Sequence, residues 1–301
     1  MFSRASGVPR AINPPASTIT LADGRQLGYC EWGDPAGYPT FYFHGTPGSR
    51  LEGAFADPAA RRHGFRLIAP DRPGFGWSTF QSGRGFRHWP GDVCALADAL
   101  GVGRFGVVGH SGGGPHLFAC GCLVPPERLA FIGALGPWGP VATPEIRRGL
   151  NRLDRFYADL ARRAPWLMRL AFAPLGWCAR YWPGLFFALM DAAVASADRA
   201  ALAGSGLREQ LRAAQREAFR QGGRGGAHEA LIAYRAWDVD ITTITTPTHI
   251  RLGDRDVFVC RAMGAHLEQA IPGVDFEWLP GQGHFHLDSW DDILAACSAD
   301  L

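Results

Sequence analysis

Phe105-Gly106-Val107-Val108-Gly109-His110-Ser111-Gly112-Gly113-Gly114-Pro115-His116-Leu117-Phe118-Ala119-Cys120 is the stretch whose reading decides the fold. Its opening run, Phe105 to Val108, has the length and apolarity of a buried strand, and Gly114 to Cys120 reads as a helix. A strand that passes sharply into a helix through small residues holds the Ser111 hydroxyl at the tip of the turn, where a substrate can reach it. The first N–H groups of that helix lie unpaired beside the oxygen, at the positive end of the helix dipole. In a chain with 39 glycines the string Gly109 to Gly113 is weak by itself; the strand before it and the helix after it make it specific.

Working outward, strand and helix patterns alternate. Residues 18–21 and 26–32 flank Asp23-Gly24 and read as a β-hairpin at a sheet edge. Residues 40–43 form an aromatic strand that runs into His44-Gly45-Thr46-Pro47-Gly48-Ser49, and residues 66–69 form another that runs into Pro70 and the turn Asp71 to Ser78. A helix over 90–100 returns the chain to the strand before Ser111. Downstream come strands at 129–134 and 248–252, the latter opening into Gly253-Asp254-Arg255-Asp256. A helix over 261–270, a strand over 275–279, a loop over 281–286 holding His284 and His286, and a helix over 289–297 complete the chain. The fold class is therefore α/β, a mostly parallel central sheet with helices on both faces.

Between 137 and 226 the alternation stops, which predicts a helical cap inserted between two parts of the sheet domain, 1–136 and 227–301. Thr143-Pro144-Glu145 starts a helix, with Leu150, Leu153, Tyr157 and Leu160 following at helical spacing. Aromatic segments over 166–172 and 181–190 are too short between charges to span a bilayer. A helix over 207–221 ends in Gly222-Gly223-Arg224-Gly225-Gly226, read as a flexible joint. The cap holds 14 Arg against 7 acids, a balance of +7, while the rest carries −5. Solvated outer helix faces account for that asymmetry; attraction to an anionic substrate or surface is the alternative.

Composition narrows the chemistry. At 47% hydrophobic residues the chain can build a large core, and a net charge of +2 argues against a nucleic-acid partner. All basic residues are Arg, so a lysine Schiff base and the usual phosphate-loop lysine are excluded. The seven cysteines contain no C-x-x-C pair and read as buried reduced thiols, with no metal site and no cofactor expected. Residues 1–20 lack the apolar stretch of a signal peptide, which makes a cytoplasmic location the expectation.

These motifs resemble the α/β-hydrolase fold family over roughly residue 18 to the end. They are the Ser111 turn, His44-Gly45, Asp71 to Ser78, Gly253 to Asp256 and Gly283-His284, in the family's order of nucleophile, acid and histidine. A serine hydroxyl needs a base, and His284, in a Gly-bounded loop after the last strand, is the candidate, with His286 as the alternative. The histidine needs a carboxylate; Asp254 and Asp256 both follow the strand, and the resemblance selects Asp256. The oxyanion donors are the N–H of Gly112 and, by resemblance, the N–H of Thr46. The resemblance makes His44 a brace for its turn, and makes Asp71, Arg72 and Gly76 a structural turn.

A serine nucleophile disfavours dehalogenases and epoxide hydrolases, which resemble this chain but use Asp there. Gly112 stands where proline iminopeptidases have Trp. The resulting expectation is a serine esterase forming an acyl-enzyme on Ser111 with a small hydrophobic substrate, and no stable membrane insertion. A carbon–carbon bond hydrolase on the same residues and a non-catalytic small-ligand receptor are the alternatives. Trp138, Trp166, Trp177, Trp182, Phe186 and Phe187 suggest an apolar pocket roof, although packing of the cap onto the core accounts for most of them. The sequence leaves the oligomeric state and the substrate's identity open.

Overall fold

The structure, a computed structural model, describes residues 14–141, 143–193, 198, 199, 202 and 206–301. Most of the segment read for a signal peptide, and part of the stretch expected to form a cap, lie outside the described residues. In chain order the strands are β1 (Ser17–Thr20), β2 (Gln26–Gly33), β3 (Tyr38–Phe43), β4 (Phe65–Pro70), β5 (Phe105–His110), β6 (Leu129–Leu135), β7 (Thr248–Gly253) and β8 (Asp275–Leu279). They form one sheet in the order β1-β2-β4-β3-β5-β6-β7-β8. The β1–β2 hairpin sits at one edge with Ser17 opposite Tyr29, β2 runs antiparallel to β4, and every later pairing is parallel.

Parallel neighbours require crossovers, and the crossovers here are helical. The link from β3 to β4, which carries no clear periodicity in the sequence, holds a 3₁₀ turn (Arg50–Phe55) and α1 (Asp57–His63). α1 stops at Gly64, whose φ of 70° provides the left-handed residue that ends many helices. α2 (Trp89–Ala99) and α3 (Gly114–Leu123) follow β4 and β5.

Alternate residues of each central strand enter different cores, and both cores are apolar, as a doubly covered sheet demands. Phe41, Phe43, Ile68, Val107 and Ile132 pack with Trp89, Val93 and Phe118 on one face. Tyr42, Leu67, Val108 and Phe131 pack with Trp290 and Ile293 on the other.

Between β6 and β7 lie α4 (Pro144–Gly149), α5 (Arg152–Arg163), α6 (Leu167–Tyr181), α7 (Pro183–Ala193), α8 (Leu207–Ala218) and α9 (Arg224–Ala233). The helix expected to run on from Thr143 is two helices. Leu150 is extended, and the Asn151 side chain accepts from Asp154 N–H to cap a new start. The expected flexible joint at 222–226 is also corrected: α9 begins at Arg224, and Gly225 and Gly226 are buried within it. A Cβ on Gly225 would collide with the Gly74 carbonyl, so this glycine permits close approach and not motion. α9 packs on α5 and α6. α10 (Arg261–Ala270) and α11 (Trp290–Ser298) complete the chain.

All seven cysteines are free; Cys30, Cys120 and Cys297 are buried and the other four are only partly so. No helix among the described residues is long and apolar enough to cross a membrane.

Candidate active site

Ser111 follows β5 directly and has φ 52°, the one positive φ at a non-glycine residue among the described residues. A serine held there is strained, and such strain persists only where the surroundings enforce it. The Trp138 N–H donates to the Ser111 carbonyl at 2.8 Å and α3 leads away behind it. A Cβ on Gly112 would collide with Thr46 Oγ1 and lie 3.1 Å from Thr46 N, so the turns after β3 and β5 touch. Thr46 N–H has no acceptor among the described residues. Gly112 N–H is in the first helical turn, where amides lack partners along the chain. Both are free to meet an oxyanion.

Charged groups hold the Thr46 turn from below. The Gly45 N–H donates to Glu52 Oε1 at 2.7 Å. Arg72 donates to the carbonyls of His44 and Gly45 and, at 2.8 Å, to Thr46 Oγ1. Thr46 Oγ1 donates in turn to Glu229 Oε1 at 3.0 Å, and Arg72 Nε reaches the same oxygen at 2.7 Å. Arg84 Nη2 takes Glu229 Oε2 at 2.6 Å. Burial would push the Glu229 carboxyl up, but Arg72, with His116 and Arg84, holds it well below the usual carboxylate range.

His44 is the brace expected of it. Its Nε2 accepts from Arg72 N–H at 3.2 Å, so the ring proton sits on Nδ1 and donates to the Gly45 carbonyl at 2.8 Å. Burial, then the nearby Arg72 charge, push its pKa well down and keep it neutral. Asp71 also builds a turn, accepting from Arg50 N at 2.7 Å and Trp77 N at 2.9 Å.

The histidine and the acid meet in the loops that follow β8, at the sheet's edge, and β7 beside it. His284 Nδ1 lies 2.6 Å from Asp256 Oδ2, both side chains almost fully buried. Asp256 Oδ1 accepts from the N–H groups of Phe258 and Val259 at 2.8 and 2.9 Å. Gly136, just past β6, lies against the pair, where a Cβ would be 3.4 Å from His284 Nδ1. His110, the residue before Ser111, packs its ring against that of His284, centroids 4.7 Å apart and planes tilted by 42°, and approaches the His284 carbonyl at 3.2 Å. Ser111 Oγ has no hydrogen bond to His284 or to any other of the described residues.

The charges of the pair are cooperative. Burial pulls the His284 pKa down, but Asp256, aided by Asp198 and Glu52, outweighs it and raises the imidazole above its ordinary value. Burial likewise raises the Asp256 carboxyl, and His284 with the two backbone N–H groups more than reverses this.

The alternative residues stand apart. Asp254 is exposed and accepts from Gly281 N–H at 2.7 Å, a turn role. His286 turns to Ser289 Oγ at 3.2 Å, and burial, with His110 and His284 nearby, takes its pKa down to about 3. Glu52, Glu229 and Asp198, which accepts from Phe285 N–H at 2.8 Å, escaped the sequence reading. The one available signal was a lone acid, Glu229, inside the apolar run Ala227 to Ala233.

The expected aromatic roof is largely absent. Trp166, Trp177 and Trp182 are exposed, Phe186 is buried against Phe75 and Phe219, and Phe187 packs beside it. Trp138 alone sits by the Ser111 turn, its backbone against Gly114. Spacing along a helix does not say which way its apolar residues face when both faces are apolar. Clefts of about 740 and 680 Å³ open elsewhere, and neither is lined by Ser111, His284 or Asp256.

Residues 39–289 match the sequence profile of the alpha/beta hydrolase fold. A non-heme chloroperoxidase of Streptomyces lividans is 34% identical over 149 residues, 48% of this chain and 54% of that protein. A bifunctional esterase/perhydrolase of Acinetobacter calcoaceticus is 36% identical over 97 residues, 32% and 35% of the two chains. The chain thus spans about half or less of the length of these curated relatives. Among solved structures, a bromoperoxidase from Bacillus anthracis superposes with a TM-score of 0.68 at 20% identity, covering 94% of this chain and 99% of the other.

Proposed function

The chain belongs to the alpha/beta hydrolase fold family, and we propose that within it the protein is a serine esterase acting through an acyl-enzyme on Ser111. The observation that carries this reading is the buried His284–Asp256 pair, closed at 2.6 Å in the loop beside the strained Ser111 turn. Asp256 orients the imidazole so that Nε2 is free to take the Ser111 proton as Oγ attacks the ester carbonyl. The resulting oxyanion is received by the N–H groups of Gly112 and Thr46. His284 then protonates the departing alkoxide, and a water activated by the same nitrogen releases the acid and frees the serine. The Phe258 ring, 5.0 Å from the His284 ring, supports an apolar substrate.

The test is turnover of short-chain aryl esters, with a vinylogous diketone alongside because the same residues could open a carbon–carbon bond. Ser111→Ala should lower kcat by roughly 10⁴-fold or more with an unchanged melting temperature. A fluorophosphonate should label Ser111 in the parent protein. A variant that keeps its rate overturns the reading.

A further inference from the structure

We propose that the outer face of α6 and α7 is an interfacial surface that seats the protein on an anionic phospholipid bilayer. α6 is apolar on two opposite sides. Met168, Phe172 and Ala179 face inward and are buried. Trp166, Leu170, Trp177 and Tyr181 recur at helical spacing, within a sector of roughly 60° at about 100° per residue, and face out. Trp182 and, on α7, Leu185 and Leu189 continue the surface, and every one of these seven side chains is between 47 and 68% exposed. The patch is contiguous at its centre: the Trp177 ring lies 5.7 Å from Tyr181 and 5.4 Å from Trp182. A folded protein does not ordinarily leave so many large apolar side chains together in water.

Charge identifies the occupant. From Leu160 to Met190 the chain holds Arg162, Arg163, Arg169 and Arg180 and no Asp or Glu. All four arginines are exposed, Arg162 within 3.8 Å of Asp159, and Arg169 and Arg180 lie along one edge of the aromatic stripe on α6. The Arg180 guanidinium lies over the Tyr181 ring, 5.4 Å from its centroid. Tryptophan, tyrosine and leucine edged by arginine match the layered chemistry of a bilayer surface, acyl chain below and phosphate above. A second copy fits poorly. A two-fold contact would set the patch against itself and oppose Arg169 and Arg180 to their own kind with no acid between them. No helix among the described residues is long and apolar enough to span a bilayer, and the contact proposed is peripheral. The proposal does not depend on the esterase reading, since its test reads binding and not turnover.

The test is flotation of the full chain with vesicles of phosphatidylcholine alone or with about 30% phosphatidylglycerol, followed by tryptophan emission. Binding to the anionic vesicles with a blue shift is expected, falling about tenfold or more on the neutral ones or in high salt. Trp177→Ser with Trp182→Ser, and separately Arg169→Glu with Arg180→Glu, should each abolish it. Should the tryptophan variant misfold, the arginine variant carries the test, because it changes only exposed side chains. Failure to float with anionic vesicles, flotation unaffected by either variant, or a concentration-dependent dimer dissolved by the tryptophan changes would each overturn the proposal.

Discussion

His284 faces two opposed forces, and their balance sets the working pH. Burial disfavours its charge, the carboxylates around it favour it, and the net shift is upward. A general base must be neutral, so kcat/KM for an aryl ester should rise with pH through a midpoint above about 6.5, the ordinary histidine value. Asp256→Asn removes the leading stabilising charge and leaves the burial. The His284 midpoint, followed by NMR, should then drop below that value, while kcat falls by about 10⁴-fold. An unchanged midpoint would mean that Asp256 does not govern the imidazole. His284 and both candidate acids were legible in the sequence, because glycine-bounded loops after strands can be recognised one at a time. The choice of Asp256 over Asp254 rests on two residues of loop geometry, which leave one carboxylate buried and the other in water.

Two elements meet under the Thr46 turn, and α9 supplies the carboxylate, Glu229. Glu229 is the only carboxylate bonded to Arg72 and Arg84 among the described residues, so Glu229→Gln leaves two buried guanidinium groups without compensation. Breaking a buried pair of this kind costs about 3–5 kcal/mol, to be read from urea unfolding. Because Thr46 Oγ1 is bonded to the same carboxylate, kcat should fall about tenfold, more than KM changes. α9 also tests packing against propensity. Gly225→Ala adds about 1 kcal/mol of helix preference but drives a methyl into the Gly74 carbonyl, which costs about 1–3 kcal/mol. The melting temperature should fall, whereas Gly184→Ala in α7, with open space around it, should hold or raise it. The strands and outer helices were readable from periodicity. The glycine run before α9 was not, because a glycine that grants mobility and one that admits a neighbouring backbone look the same along the chain.

Over the whole molecule, buried histidines dominate the response to acid. Burial lowers the pKa values of His44, His116, His228 and His286, while His284 alone among the shifted histidines is raised. For each lowered group the unfolded chain binds the proton first, so stability declines as pH falls below about 6.5, at up to about 1.4 kcal/mol per unit. His284 acts in the opposite sense, its contribution present below the unfolded value and lost as pH rises through its folded one. Glu229 and Asp256, both depressed, add stability that is lost only as pH falls below the usual carboxylate range. Urea midpoints should therefore decline as pH falls from about 6.5 to 5 and show no such decline between pH 8 and 6.5, and a flat profile below 6.5 would show these histidines to be accessible to protons when folded.

By itself the sequence determined the class of fold, the serine turn and the order of the residues that could serve it, because periodicity and glycine placement act over a few neighbours. Tertiary structure alone decided that Glu229 lies beneath Thr46, 183 positions away, and that Trp166, Trp177 and Trp182 face outward. Such outcomes depend on which distant surfaces meet, and a helix with two apolar sides carries no local mark of the one it will bury.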